Sequence, residues 1–201
     1  MYSKISELVF GFHGCDEEVA RQVINGDDEL RPSNNDYDWL GNGIYFWEQN
    51  YDRAYEWAIN LKRLGKIQTP SVIGAVIDLG TCLNMLDGKY ISLLTEEYLL
   101  LESEYHLVNM DLPVNKGRTK DKLLRNLDCA VIEHLHATLA EDSPIHKSPF
   151  DSARGLFTEG DEIYPGAGFR TKNHIQICVR NPNCIKAYFW PRVQDNDWPM
   201  P

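Results

Sequence analysis

The 201-residue chain has no long hydrophobic run. Its most apolar stretch, Ser71 to Leu79 (SVIGAVIDL), falls far short of the about 20 apolar residues that cross a bilayer, so no transmembrane helix is expected. The opening MYSKISELVF lacks a basic region followed by a long apolar core, and no signal peptide is expected. Cysteine is scarce: Cys15, Cys82, Cys129, Cys178 and Cys184 are an odd number with no C-x-x-C pair. That excludes a disulfide framework and reads as a reduced, cytoplasmic protein. Internal repeats, low-complexity tracts and linker-like Pro, Gly or Ser runs are absent, which leaves one domain over residues 1–201. Positive charge is also short, with Lys plus Arg 20 against Asp plus Glu 30 and a net charge of −10. A polyanionic partner would therefore need a local basic patch.

What is present is ordinary globular material, 43% hydrophobic and 25% charged, with 10 Tyr, 7 Phe and 5 Trp to fill a core or stack on a ligand. Leu8 to Phe12 reads as a strand ending at Gly14. Asp16 then caps a helix whose apolar positions Val19, Ala20, Val23 and Ile24 share a face before Gly26 stops it. Residues 27–40 are turn-rich. Gly43 to Trp47 reads as a second strand and Asp52 to Leu64 as a helix ended by Gly65. Ser71 to Leu79 has the continuous apolar pattern of a strand buried on both faces. Thr95 to Tyr105 and Thr119 to Ala140 are expected as helices, the second with Leu123, Leu124, Leu127, Val131 and Leu135 as one stripe. Ser143 to Lys172, punctuated by Gly155, Gly160, Gly166 and Gly168, reads as a long loop of the kind that serves as a lid or binding loop. Two strands, His174 to Arg180 and Cys184 to Trp190, close the chain around an Asn181-Pro182-Asn183 turn. The class is α/β or α+β around a mixed sheet.

Three segments place glycine or polar residues where plain strand would otherwise run: Gly11-Phe12-His13-Gly14, Gly41-Asn42-Gly43-Ile44-Tyr45-Phe46, and His174 to Val179. A His before Gly at a strand end lets the backbone approach a ligand while the imidazole hydrogen-bonds to it. Cys129, His134 and His136 do not make a zinc site, because helical spacing turns His134 away from the other two. Gly166-Ala167-Gly168 precedes a strand rather than opening a helix and is no dinucleotide fingerprint. No P-loop or nucleophile elbow occurs.

His13-Gly14, a helix through Ile24 and Gly26, then Gly41 to Phe46 with Ala54 and Ala58 in the next helix, resemble the donor half of the ADP-ribosyltransferase fold. The resemblance is to its poly(ADP-ribose) polymerase and diphtheria-toxin-like branch, marked by a His-Tyr-Glu triad. It rests on motifs at the two ends of the chain. It implies an α+β fold with a split mixed sheet and flanking helices, NAD as substrate, and no metal. By that resemblance His13 would hydrogen-bond the adenine-side ribose, the Gly14 backbone would clamp the nicotinamide carboxamide, and Tyr45 would stack on the nicotinamide ring, with Gly43 and Phe46 in the same donor-binding segment.

The third triad position departs from the family, because the register of HIQICVRNPNCIKAYF puts Gln176 where the Glu stands. An amide accepts a hydrogen bond from a ribose hydroxyl but lacks the charge that stabilises an oxocarbenium-like cation. The resemblance then implies transfer of a single ADP-ribose rather than polymer synthesis, with Glu159 or Glu162 supplying the missing carboxylate. The loop before this strand faces the acceptor in the family, which makes Arg154, Arg170 and Lys172 candidates for a phosphate contact. The expected acceptor is a macromolecule, with protein favoured because Phe157, Tyr164 and Phe169 are not closely interleaved with the basic residues Lys116, Arg118, Lys120, Lys122, Arg125, Lys147, Arg154, Arg170 and Lys172. RNA or DNA as acceptor, an NAD glycohydrolase, and an inactive domain that binds ADP-ribose or a protein are the alternatives. Toxins and defence effectors share the fold, which brings an inhibitory partner protein into the expectation.

Overall fold

A computed structural model describes residues 8–117, 122–141, 149–192 and 197. Arg118, Lys120 and Lys147 lie outside the described residues. The class is α+β. Seven strands form one mixed sheet, flanked by four α-helices among the described residues.

In chain order the elements are β1 (Leu8–Asp16), α1 (Glu17–Asn25), β2 (Ile44–Glu48), α2 (Tyr51–Arg63), β3 (Pro70–Asp78), β4 (Cys82–Asn84), α3 (Gly88–Leu107), α4 (Asn126–Glu141), β5 (Ser152–Phe157), β6 (His174–Val179) and β7 (Ile185–Phe189). The spatial order is β4-β5-β6-β2-β1-β3-β7, with β4 and β5 parallel and the other neighbours antiparallel.

Local chemistry sets the helix ends. Asp16 accepts from Glu18 N at 3.2 Å and caps α1, and its other oxygen takes Gln68 N at 2.6 Å, so one carboxylate ties the helix start to the turn before β3. Gly26, at φ 80, closes α1 in the left-handed region. Asn50 caps α2 by accepting from Arg53 N at 3.1 Å.

Antiparallel neighbours share a face, so the registers sort the side chains. Cys15, Phe46, Ile73, Ala75, Ile77, Ile177 and Val179 form a core with Ala20 and Val23 of α1 on one face. On the other face, Phe12, Trp47 and Val72 meet Ala54 of α2, while Ala153, Phe157 and Cys178 meet Ile132 and Leu135 of α4.

Several expectations are corrected. The long loop read over Ser143 to Lys172 contains β5, which pairs with β4 on one side and β6 on the other. Residues 142–148 of it lie outside the described residues. The strand expected to stop at Gly14 runs on to Asp16, because β3 pairs with it along its whole length. α3 begins at Gly88, capped by Asp87, seven residues before the expected start. α4 begins only at Asn126. Leu123 and Leu124 precede it and are exposed, and Leu124 bridges instead to Lys116. Val19 is exposed, while Ala20 and Val23 carry the buried face of α1. The two closing strands are not neighbours: β6 lies between β5 and β2, and β7 forms the far edge beside β3.

Candidate active site

The strands carrying the three singled-out motifs, β1, β2 and β6, are consecutive in the sheet. β2 pairs with β6 from Ile44 to Trp47, yet pairs with β1 only at Gly11–Glu48 and Phe12–Trp47. Beyond Phe12 the two strands part. His13 stands in that opening, mid-strand rather than at the expected strand end, with Nδ1 2.7 Å from the Tyr45 carbonyl oxygen. A carbonyl only accepts, so Nδ1 carries the proton and a neutral ring leaves Nε2 as a bare lone pair. Burial lowers the His13 pKa, partly offset by the bond to Tyr45, and holds the ring neutral at pH 7.

Tyr45 and His13 meet through backbone rather than through rings. The His13 ring packs on Phe46 at 5.8 Å between centroids, on the α1 face. The Tyr45 hydroxyl donates to Gly41 O at 2.6 Å and accepts from Leu40 N at 2.8 Å, and its ring packs beside Leu40 and Cys178 on the opposite face. The two rings therefore lie on opposite faces of the sheet, which is at odds with the expectation that Tyr45 stacks on a nicotinamide ring held beside His13 and Gly14. β1 and β2 alternate out of phase at these positions, which places His13 opposite Phe46 instead. Burial drives the Tyr45 phenol pKa well above its ordinary value. Phe46 is fully buried core.

The glycines have packing reasons. A Cβ at Gly14 would overlap the carbonyl oxygen of Ala54, because the backbone of α2 lies directly on β1 there. A Cβ at Gly43 would meet Cys178 Sγ at 2.5 Å and Val179 O at 2.7 Å. The Gly41–Gly43 turn is held from α4 and from the residue just after β6: Glu133 accepts from Asn42 N at 2.7 Å and from Arg180 Nη2 at 3.1 Å, while Arg180 donates to Asn42 O at 3.0 Å. Arg180 and Asn42 overcome the burial of Glu133 and keep its pKa below the ordinary value.

On β6, Gln176 lies opposite Trp47 and Gly155, on the Tyr45 face. Two residues earlier on the same face is His174, which sequence reading missed. It is 5% exposed, with Nδ1 2.7 Å from Lys172 O, and lies among Trp39, Trp47 and Phe157 at 5.8–6.5 Å between ring centroids. Glu159 approaches from the loop that leads into β6 and pairs with Arg53 of α2 at 2.7 Å. Burial lowers the His174 pKa, the Lys172 carbonyl offsets part of that, and Arg53 lowers it against Glu159. The signal available in sequence was only a His opening a strand.

The remaining candidates scatter. Arg154 lies in β5 and grips Glu48 through Nη2 at 2.7 Å, on the α1 face. Glu162 accepts from Gly166 N at 2.9 Å and shapes the loop, and Arg170 donates to Gly160 O at 3.4 Å within the same loop. Lys172 reaches Glu56 at 3.9 Å. Arg125 sits over Trp39 at 4.8 Å and pairs with Asp128 at 3.1 Å. Phe157 is buried, whereas Tyr164 and Phe169 are exposed. All five cysteines are free thiols. Among the described residues no cluster of three or more His, Cys, Asp or Glu side chains is placed to hold a metal ion, and no helix is long and apolar enough to cross a membrane.

No protein-family model matches the chain, and no solved structure is similar to it. Among curated proteins the chain is similar to the uncharacterized protein MJ0359 of Methanocaldococcus jannaschii, 29% identical over 199 aligned positions that take in 89% of this chain and 85% of the archaeal one.

Proposed function

We propose that this protein is an NAD-dependent ADP-ribosyltransferase that moves a single ADP-ribose to a macromolecular acceptor, with protein as the favoured acceptor. One observation carries the reading: His13 bonds to the Tyr45 carbonyl at the point where β1 and β2 part, with β6 and Gln176 on the far side of β2. The parting leaves the His13–Gly14 edge of β1 without a β2 partner, where the carboxamide of a nicotinamide can add to the backbone as a short strand would. The bare Nε2 of His13 is an acceptor for a ribose hydroxyl.

Tyr45 takes a different part from the stacking platform the resemblance implies. Its hydroxyl is committed to the Gly41 turn, so it holds the backbone carbonyl that orients His13. Gln176 lacks charge, and the carboxylate that can answer a developing cation is Glu159, which already faces a guanidinium.

The test is nicotinamide release from NAD by the purified full chain, followed by labelled-NAD transfer in a lysate with separate protease and nuclease digestion. Protease-sensitive label is the expected result. Nuclease-sensitive label would move the acceptor to RNA or DNA, release without label would make the protein a glycohydrolase, and binding without release would make it an ADP-ribose-binding domain.

A further inference from the structure

We propose that His174 is a catalytic base whose Nε2 takes the proton from the acceptor nucleophile, which makes the space between α2 and the 158–173 segment the acceptor side of the site. The inference rests on the transfer reading above and adds the group that activates the acceptor.

The tautomer is fixed by geometry. Nδ1 faces the Lys172 carbonyl at 2.7 Å and must donate, so the neutral ring presents an unprotonated Nε2. In free solution the opposite tautomer is the ordinary one, and here a backbone carbonyl selects the form that can accept a proton. That Nε2 is buried and has no hydrogen-bond partner among the described residues.

Three further buried polar atoms nearby are in the same condition: Trp47 Nε1, Arg53 Nε and Asn173 Oδ1. Trp47 is 6.5 Å from His174 between ring centroids, Asn173 precedes it in the chain, and Arg53 acts on its charge. Buried polar groups are almost always satisfied, so these orphans, on His174 and on residues that flank it in the chain, stack near its ring or act on its charge, mark a place where another molecule completes the bonding. Two are donors and two are acceptors. A group that is both donor and acceptor, such as a hydroxyl, a carboxamide or a water holding its place, answers the set.

The charges suit the step. His174 faces Arg53 of α2 and Glu159 of the loop, with Glu56 and Lys172 further out. Exposure rises outward from His174 at 5% through Arg53 at 12% and Glu159 at 20% to Glu56 at 53%. An acceptor reaches Nε2 by parting the Arg53–Glu159 bridge, which leaves the Glu159 carboxylate free to answer the positive charge that develops on the ribose. In the step, the acceptor heteroatom bonds to C1′ of the nicotinamide ribose as the C1′–nitrogen bond breaks, and its electron pair leaves with neutral nicotinamide. The acceptor's proton moves to Nε2 and later to solvent. Gln176 and His174 are two residues apart on one strand face, about 7 Å, a span that fits a donor ribose beside one and an acceptor beside the other.

The experiment uses the full chain with NAD as donor and water as the probe acceptor, comparing wild type, His174→Gln and His174→Ala. The expected result is a 10²- to 10⁴-fold fall in turnover for both variants, at unchanged NAD affinity. The acid limb of the wild-type pH profile, below pH 6.5, should be lost, and added imidazole should restore turnover to His174→Ala. Variants that keep wild-type turnover and the acid limb overturn the base and leave the transfer reading standing. Loss of turnover without imidazole rescue, or with lost NAD binding, assigns His174 a structural role and likewise overturns it. A wild-type protein that neither binds nor cleaves NAD overturns the transfer reading, and the base with it.

Discussion

His13 Nδ1 lies 2.7 Å from the carbonyl oxygen of Tyr45, one residue past the last pair of the β1–β2 ladder. The imidazole therefore does what a backbone amide would do in an unbroken sheet, holding β1 to β2 while leaving the edge beyond it open. His13→Ala removes that donor and strands a carbonyl, at a cost of about 1–3 kcal/mol of stability. Denaturant melts should show this loss, and nicotinamide release should fall much further than the melts account for. A variant with full activity and a lowered melting point would make His13 purely structural.

Glu159→Gln should lower turnover strongly with little change in NAD affinity, because under the proposed reading the charge is needed only as the cation develops. Glu162→Gln is the control, since that carboxylate accepts from Gly166 N within the loop. Gln176→Ala should cost less activity than His13→Ala. Steady-state kinetics on the four variants checks the ranking, and wild-type rates for Glu159→Gln would remove the loop carboxylate from the reaction.

Gly14→Ala is expected to be among the most damaging of the small substitutions. Its methyl would have to displace the helical backbone at Ala54, at a cost of about 3 kcal/mol or more. Gly26→Ala, at φ 80 with open space around it, should cost only about 1–2 kcal/mol from left-handed strain. Equal melting points for the two would deny the helix–strand contact.

Two histidines of α4 should give opposite pH responses. Burial lowers the His134 pKa, but Glu104 and Glu97, at 3.0 and 2.5 Å, more than offset it and leave the value raised. Its contribution is full below pH 6.5 and is lost as pH rises through the folded value. His136 is lowered to about 4, by burial and then by Arg180, so its contribution is full above pH 6.5 and is lost as pH falls toward about 4. Thermal melts across pH should show His134→Gln differing from wild type most in acid, and His136→Gln flattening the acid-side loss.

Much of the frame was legible because it is written locally. Asp16 and Gly26 bracket α1 by capping chemistry alone, and the apolar run from Ser71 announces β3. β5 was not legible: Ser152–Phe157 carries Arg154 and Gly155 between Gly- and Pro-rich flanks, and its strand geometry comes from partners on both sides. The faces of His13 and Tyr45 were hidden for a related reason. Period-two alternation says that Tyr45 and Phe46 point oppositely, but only the pairing of Phe12 with Trp47 decides which of them joins His13. The value of His174 lies in its carbonyl partner and its unanswered neighbours, which no spacing in the sequence encodes.

The strand order also dictates when this protein can first be complete. β1, α1, β2, α2 and β3 leave the ribosome first, and at that stage β2 has β1 on one side and an open edge on the other. The strand that fills this edge is β6, bringing together residues as far apart as Gly41 and Cys178, 137 positions along the chain. Until β6 docks, the nascent chain displays His13 without Gln176, His174 or Glu159. Under the proposed reading, chemistry on NAD would thus be withheld from unfinished chains, and a stalled or truncated product that ends before β6 would lack it.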